Sequence, residues 1–270
     1  MTTVSVKGAG RRRLAAAFGG GGLIGALGGL IGLGGAEFRL PLLIGLFAFG
    51  PLEAVIMNKA MSLVVVASAL PFRLVAVPFS ELTTHWSVIA NLLAGSLAGA
   101  WFGAGWATRL RSETLYRIIA VLLVAIAVVL LVGHDTTSRG EALLTGPLQI
   151  AVGVGAGFLI GVVASLLGVA GGELLIPTIV LLFGADIKLA GSLSLAVSLP
   201  TMIIGFTRYS RDSSFAVLGR NRLFLIVMAA GSVAGSFIGA SLLGIVPNAV
   251  LLPILAGILL ISSIKVWRHR

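Results

Sequence analysis

The sequence predicts an all-α integral membrane protein made of two inverted-topology repeats, each with a broken or re-entrant helix pair plus three full spans. Three observations carry that expectation. Of the 270 residues 58% are hydrophobic and only 10% charged, long apolar runs follow one another along the chain, and the sequence matches itself at an offset of 136 residues. Soluble domains average about a quarter charged residues. A chain this apolar must turn much of its surface to lipid.

Eight runs are long enough, at about 20 residues, to cross a hydrocarbon core. In order they are Leu14 to Leu33, Ala54 to Phe79, Trp86 to Thr108, Leu115 to Val132, Leu148 to Val169, Leu189 to Thr207, Leu223 to Leu243 and Ala249 to Val266. Two further runs, Phe38 to Phe49 and Leu174 to Phe183, reach only about 15 to 18 Å at helical rise and cannot cross alone. Each follows a glycine pair, Gly34-Gly35 or Gly171-Gly172, and carries a proline, Pro41 or Pro177, expected in its first turn. Glycine ends a helix and proline suits the start of the next. Hence the broken pairs. Lys7 and Arg11 to Arg13 before an apolar run resemble a signal peptide, but the repeat makes this stretch part of the membrane unit.

The offset of 136 brings Leu23-Ile24-Gly25 onto Leu159-Ile160-Gly161, Gly35 onto Gly171, Glu37 onto Glu173 and Pro41 onto Pro177. Without a gap it also brings Ser62 onto Ser198 and the stripe Gly95, Gly99, Gly103 onto Gly231, Gly235, Gly239. Coincident Gly, Pro, Ser and Glu mark a duplication. The expected division is a basic N-terminus over 1–13, a first repeat over 14–134, a linker over 135–147 and a second repeat over 148–270.

Basic residues give the orientation. The N-terminus, the loop carrying Arg109, Arg111 and Arg117, the segment Arg208 to Arg222 and the tail hold 14 of the 19. The intervening loops hold only Arg139. Both termini are therefore expected in the cytoplasm, and the halves run in opposite senses. The net charge of +10 is then topological. Nucleic acid is not an expected partner, because the basic stretches are short and lack aromatic interleaving.

Inverted repeats with interrupted helices bind substrate where the broken ends meet near the midplane. The free N–H groups and positive dipole end of each short helix favour an anion there. Ionisable groups within spans read as functional. They are Glu37, Arg39, Lys59, Arg73 and Glu173, accompanied by Asn58, Ser62, Ser194 and Ser198. The expected substrate site comprises Gly34, Gly35, Ala36, Glu37, Arg39, Asn58, Lys59, Ser62, Gly171, Gly172, Glu173, Ser194 and Ser198. Arg39 and Lys59 would supply fixed positive charge; alternatively Arg39 pairs with Glu37 while Lys59 snorkels to the headgroups. Glu37 and Glu173 are candidate proton carriers, or simply satisfy the first amides of their helices. Arg73 is expected to snorkel outward. The glycine stripes read as packing surfaces, and Trp86, Trp101, Trp106 and Trp267 as interfacial anchors.

Other chemistries find no support. There is no cysteine, and His85, His134 and His269 are scattered, so neither a metal centre nor a cofactor is expected. No phosphate loop is present. No nucleophile with an adjacent base is visible, so the chain is not read as an enzyme. A cation or metal transporter using Glu37 and Glu173 is the alternative within transport.

At Gly32-Leu-Gly34-Gly35-Ala-Glu37-Phe-Arg39-Leu-Pro41 and Gly168-Val-Ala-Gly171-Gly172-Glu173-Leu-Leu-Ile-Pro177 the chain resembles the sulfite exporter TauE/SafE family of membrane permeases. The resemblance covers nearly the whole chain. It implies a secondary transporter that moves sulfite, an organosulfonate or a related small anion across the bacterial plasma membrane by alternating access. Monomer and homodimer both stay open.

Overall fold

The computed structural model describes the backbone of residues 6–31, 35–76, 79–132, 142–241 and 248–268, and the side chains of 10–28, 35–68, 80–128, 142–186, 189–239, 241 and 256–268. Among them every regular element is helical. The order is α1 (Val6–Ile31), α2 (Ala36–Gly45), α3 (Pro51–Ala76), α4 (Phe79–Thr84), α5 (Trp86–Ala107) and α6 (Ser112–Val132), then α7 (Gly146–Leu167), α8 (Gly172–Phe183), α9 (Ile187–Tyr209), α10 (Val217–Arg220), α11 (Arg222–Ser241) and α12 (Asn248–Trp267). A 3-10 turn, Ser213–Ala216, precedes α10. Five described stretches are long and apolar enough to cross a bilayer: Pro51–Ser68, Trp86–Ala107, Gly146–Leu167, Leu189–Tyr209 and Arg222–Gly239. The remaining expected spans are α1, α6 and α12, of 26, 21 and 20 residues.

The two short helices fold back on the helices before them. A Cβ added to Gly35 would lie 2.5 Å from the Ile24 carbonyl oxygen, and one added to Gly20 would lie 2.8 Å from Leu42 Cδ2. Thus α2 starts level with Ile24 and Gly28, in the last two turns of α1, and runs antiparallel to it. In the second half Gly171 lies against Ile160 and Ala164. The C-terminal end of α8 returns to the start of α7, where Leu143 N donates to Leu181 O at 2.9 Å and Gln149 Nε2 to Leu182 O at 2.7 Å. Gly35 and Gly171, at φ 66° and 82°, begin these helices in the left-handed region, which glycine enters without steric cost.

One sequence expectation needs correcting. The short helices open at Ala36 and Gly172, two residues earlier than the apolar runs, so Pro41 and Pro177 stand in the second turn. Proline has no N–H for the carbonyl four residues before it. The carbonyls of Glu37 and Glu173 therefore lose their ordinary helical donor.

The halves are joined by a crossed exchange of helices. The α5 glycines meet α7 backbone: Cβ atoms on Gly95 and Gly99 would fall 1.9 and 2.0 Å from the carbonyl oxygens of Val154 and Phe158. On α11, Gly231, Gly235 and Gly239 meet the carbonyls of Phe18, Gly22 and Ala26 of α1 at 2.3, 2.0 and 2.0 Å. Each of these contacts recurs 136 residues away with the roles of the halves exchanged. Rising residue number on one helix meets rising number on the other, so both pairs run parallel. The glycine stripes thus pack, as read from the sequence, and each half lends a helix to its neighbour.

Arginines gather at one end of the bundle. Arg13 stacks over Phe49 and Phe224, 5.6 and 5.5 Å from the ring centroids, and Arg220 pairs with Glu53 at 2.7 Å. Arg208 in the last turn of α9 lies 5.5 Å from the Trp101 ring, and Arg211 just beyond that helix lies 4.9 Å from it.

Candidate substrate site where the two short helices meet

The first turns of α2 and α8 come together inside the protein. Gly35, Gly171 and Gly172 are buried, as are Ala36 and Glu37 of α2 and Glu173 of α8. Neither helix has a side-chain cap at its N-terminus. The Glu37 and Glu173 carboxyls are electrostatic neighbours, and Arg39 lies within Coulombic range of Glu37. None of the four carboxyl oxygens meets a hydrogen-bonding partner at bonding distance among the described residues. Each carboxyl neighbours the other and also the backbone N–H of its own residue in the first turn of its helix.

Arg39 is wholly buried, and its Nη1 donates to Ser62 Oγ at 3.4 Å. Ser62 Oγ in turn donates to the Gly168 carbonyl at 3.3 Å. Asn58 ties both halves together, donating from Nδ2 to Ala36 O at 2.9 Å and to Leu167 O at 3.0 Å. Its Oδ1 is buried without a hydrogen-bond partner among the described residues. These α3 side chains face the broken end of α7, where a membrane-embedded helix exposes carbonyls that water cannot satisfy.

Lys59 has the same task in part. It is fully buried rather than snorkelling, and Nζ donates to Ala164 O at 3.1 Å. Its ammonium also approaches Gly205 of α9, where an added Cβ would lie 3.2 Å from Nζ. Lys59 thus sits among α7 and α9, and Arg39 beside Ser62. Tyr209 completes the cap by donating from its hydroxyl to Ser165 O at 2.9 Å, while Ser165 Oγ donates to Ala100 O at 3.0 Å. The carbonyls of Ala164, Ser165, Leu167 and Gly168 at the end of α7 are held in this way. Sequence reading did not single out Ser165 or Tyr209. A serine and a tyrosine near helix ends carry no spacing signal, and only the contact with another helix gives them a role.

On the opposite half, Ser194 Oγ donates within its own helix to Gly191 O at 2.8 Å. Ser198 Oγ is buried without a partner among the described residues. Two positive charges of the first half have apolar counterparts at the same offset, Leu175 for Arg39 and Leu195 for Lys59. The centre is thus symmetric in its carboxyls and asymmetric in its cations. Gly34 and the Arg73 side chain lie outside the described residues. Among the described residues no group of three or more acidic, histidine or cysteine side chains forms a metal cluster.

The chain matches the family described as Sulfite exporter TauE/SafE over residues 8–266. No curated protein and no solved structure matches it. With nearly the whole length matched, and an all-helical fold with several membrane-crossing helices, the chain belongs to the sulfite exporter TauE/SafE family of membrane transporters.

Proposed function

We propose that the protein is a secondary transporter of a small anion, with sulfite, organosulfonates and related organic anions as the substrate class. Alternating access would turn about the junction of α2 and α8. The observation that carries this reading is the meeting of two uncapped short-helix N-termini at a fully buried centre beside Arg39. Such ends present N–H groups and partial positive charge. Arg39 adds fixed charge that only the first half supplies, so the anion binds off the axis of the repeat, on the Arg39 and Ser62 side. Lys59, already donating to Ala164 O, has two further protons to offer when the site opens.

The parallel pairings of α1 with α11 and of α5 with α7, exchanged between halves, support an inverted duplication. The gathering of Arg13, Arg208, Arg211 and Arg220 at one end supports cytoplasmic termini, in the inner membrane of a bacterium. Glu37 and Glu173 act as proton carriers for coupling. The two facing carboxyls also favour a second reading, a cation bound between them, against which the neighbouring Arg39 charge weighs.

Flux into proteoliposomes tests the proposal. Sulfite, sulfoacetate and taurine are offered with and without an imposed proton gradient, alongside sodium and divalent cations. Arg39→Gln is expected to abolish anion flux. Glu37→Gln with Glu173→Gln is expected to leave anion exchange intact but remove its response to the proton gradient. A substrate at about 100 times its dissociation constant should also stabilise the folded protein by about 2.7 kcal/mol. Cation flux that survives Arg39→Gln and disappears with the glutamates would replace the anion reading with the second one.

A further inference from the structure

The arginine-rich end carries an open cleft that the transport reading does not use. Its volume is about 360 Å³, and it lies between the first turns of α1 and the corner joining α10 to α11. Arg13, Leu14, Arg220, Asn221, Arg222 and Phe224 are among its lining residues, and no described carboxylate lines it. The three guanidinium groups are positioned by different means. Arg13 is stacked on Phe49 and Phe224, Arg220 is held by Glu53, and exposed Arg222 opens α11.

The surface beside the cleft distinguishes it from an ordinary basic patch. Leu223 and Ile226 of α11 are 57% and 60% exposed, and Phe18 of α1 is 50% exposed. Phe18 and Ile226 stand four or five residues further into their helices than Arg13 and Arg222, about 6 to 8 Å deeper. Guanidinium groups at the rim with open apolar side chains below match a phosphate joined to acyl chains. A soluble anion would have no use for the second feature.

We propose that this cleft binds the phosphate of an anionic phospholipid headgroup, whose acyl chains lie over Phe18, Leu223 and Ile226. Juxtamembrane arginines contribute to anionic-lipid binding through charge that is screened within a Debye length. The site requires only that this end reach a headgroup layer, so it stands independently of the transported substrate.

Native mass spectrometry of the full chain, purified in uncharged detergent and titrated with phosphatidylglycerol or phosphatidylcholine, tests it. Phosphatidylglycerol should bind more tightly than phosphatidylcholine. Arg222→Gln should weaken its binding about fivefold, the expected contribution of one surface arginine. Adding Arg13→Gln should weaken it further, whereas Arg111→Gln, an exposed arginine outside the cleft, should leave it unchanged. Arg222 is exposed, so its single variant keeps the test valid if Arg13→Gln fails to fold. Equal losses for Arg111→Gln and Arg222→Gln would reduce the site to general surface charge and overturn the proposal. So would equal affinity for the two lipids, or displacement of phosphatidylglycerol by inorganic phosphate at the same affinity, which would mark a soluble-anion site. Flux measured on the same variants separates a failure here from a failure of the transport reading, because Arg222 has no role in the latter.

Discussion

Replacing Gly99 with alanine puts a methyl carbon 2.0 Å from the Phe158 carbonyl oxygen and 2.8 Å from its carbonyl carbon. Carbon and carbonyl oxygen ordinarily approach to about 3.3 Å, so α5 and α7 must part locally by about 1.3 Å. The obstacle is backbone on both helices, and no side-chain rotation relieves it. Overpacking of this kind costs about 1 to 3 kcal/mol. Alanine recovers about 0.5 to 1 kcal/mol over glycine within a helix, leaving a net loss of up to about 2.5 kcal/mol. The crossed exchange supplies an internal check, because Gly235→Ala meets the Gly22 carbonyl at the same 2.0 Å and should cost a similar amount. Gly155→Ala, on α7 with nothing within 4 Å, should be neutral or stabilising by up to about 1 kcal/mol. Unfolding in mixed detergent micelles, followed by tryptophan fluorescence, measures all three. If Gly99→Ala unfolds with Gly155→Ala rather than with Gly235→Ala, the close parallel approach of α5 and α7 is wrong.

Asn58→Leu keeps side-chain bulk while removing the donor shared by Ala36 O and Leu167 O. Losing both bonds should cost about 2 to 4 kcal/mol, below two full desolvation penalties because freed groups in a membrane find other partners; the same unfolding assay reads it, and a loss under about 0.5 kcal/mol would deny Asn58 its bridging role. Glu53→Gln should matter much less. Its partner Arg220 is 62% exposed and Glu53 itself 33%, so the change is expected to stay below about 1 kcal/mol and to shrink further in salt; a larger loss in thermal unfolding, insensitive to salt, would contradict a surface ion pair.

Much of the architecture was legible because the bilayer restricts the choices. A backbone crossing lipid must satisfy its own polar groups, so apolar runs of adequate length become helices, and runs of 12 or 10 residues beside glycine pairs become broken ones. The duplication was legible because Gly, Pro, Ser and Glu stand out against an apolar background. The same glycines marked the packing stripes, although their partners were not readable. That the α5 stripe packs on α7, and the α11 stripe on α1, depends on which helices of the opposite half come within reach.

The sequence by itself determined the composition of the centre: glutamates and serines paired between the halves as Glu37 with Glu173 and Ser62 with Ser198, and Arg39, Asn58 and Lys59 supplied by the first half alone. Spacing along the chain placed these groups at similar depth, since helical rise converts residue number into distance. It could not say which way each side chain turns. The tertiary structure brought Glu37 against Glu173, drew Arg39 to Ser62, and sent Lys59 to the Ala164 carbonyl. It also recruited Ser165 and Tyr209. The physical reason is the broken end of α7: the Leu167 and Gly168 carbonyls take side-chain donors away from water, while Ala164 O and Ser165 O add a side-chain donor to the N–H groups of Val169 and Gly168. The side-chain donors come from helices distant in sequence, and only the assembled bundle decides which ones arrive.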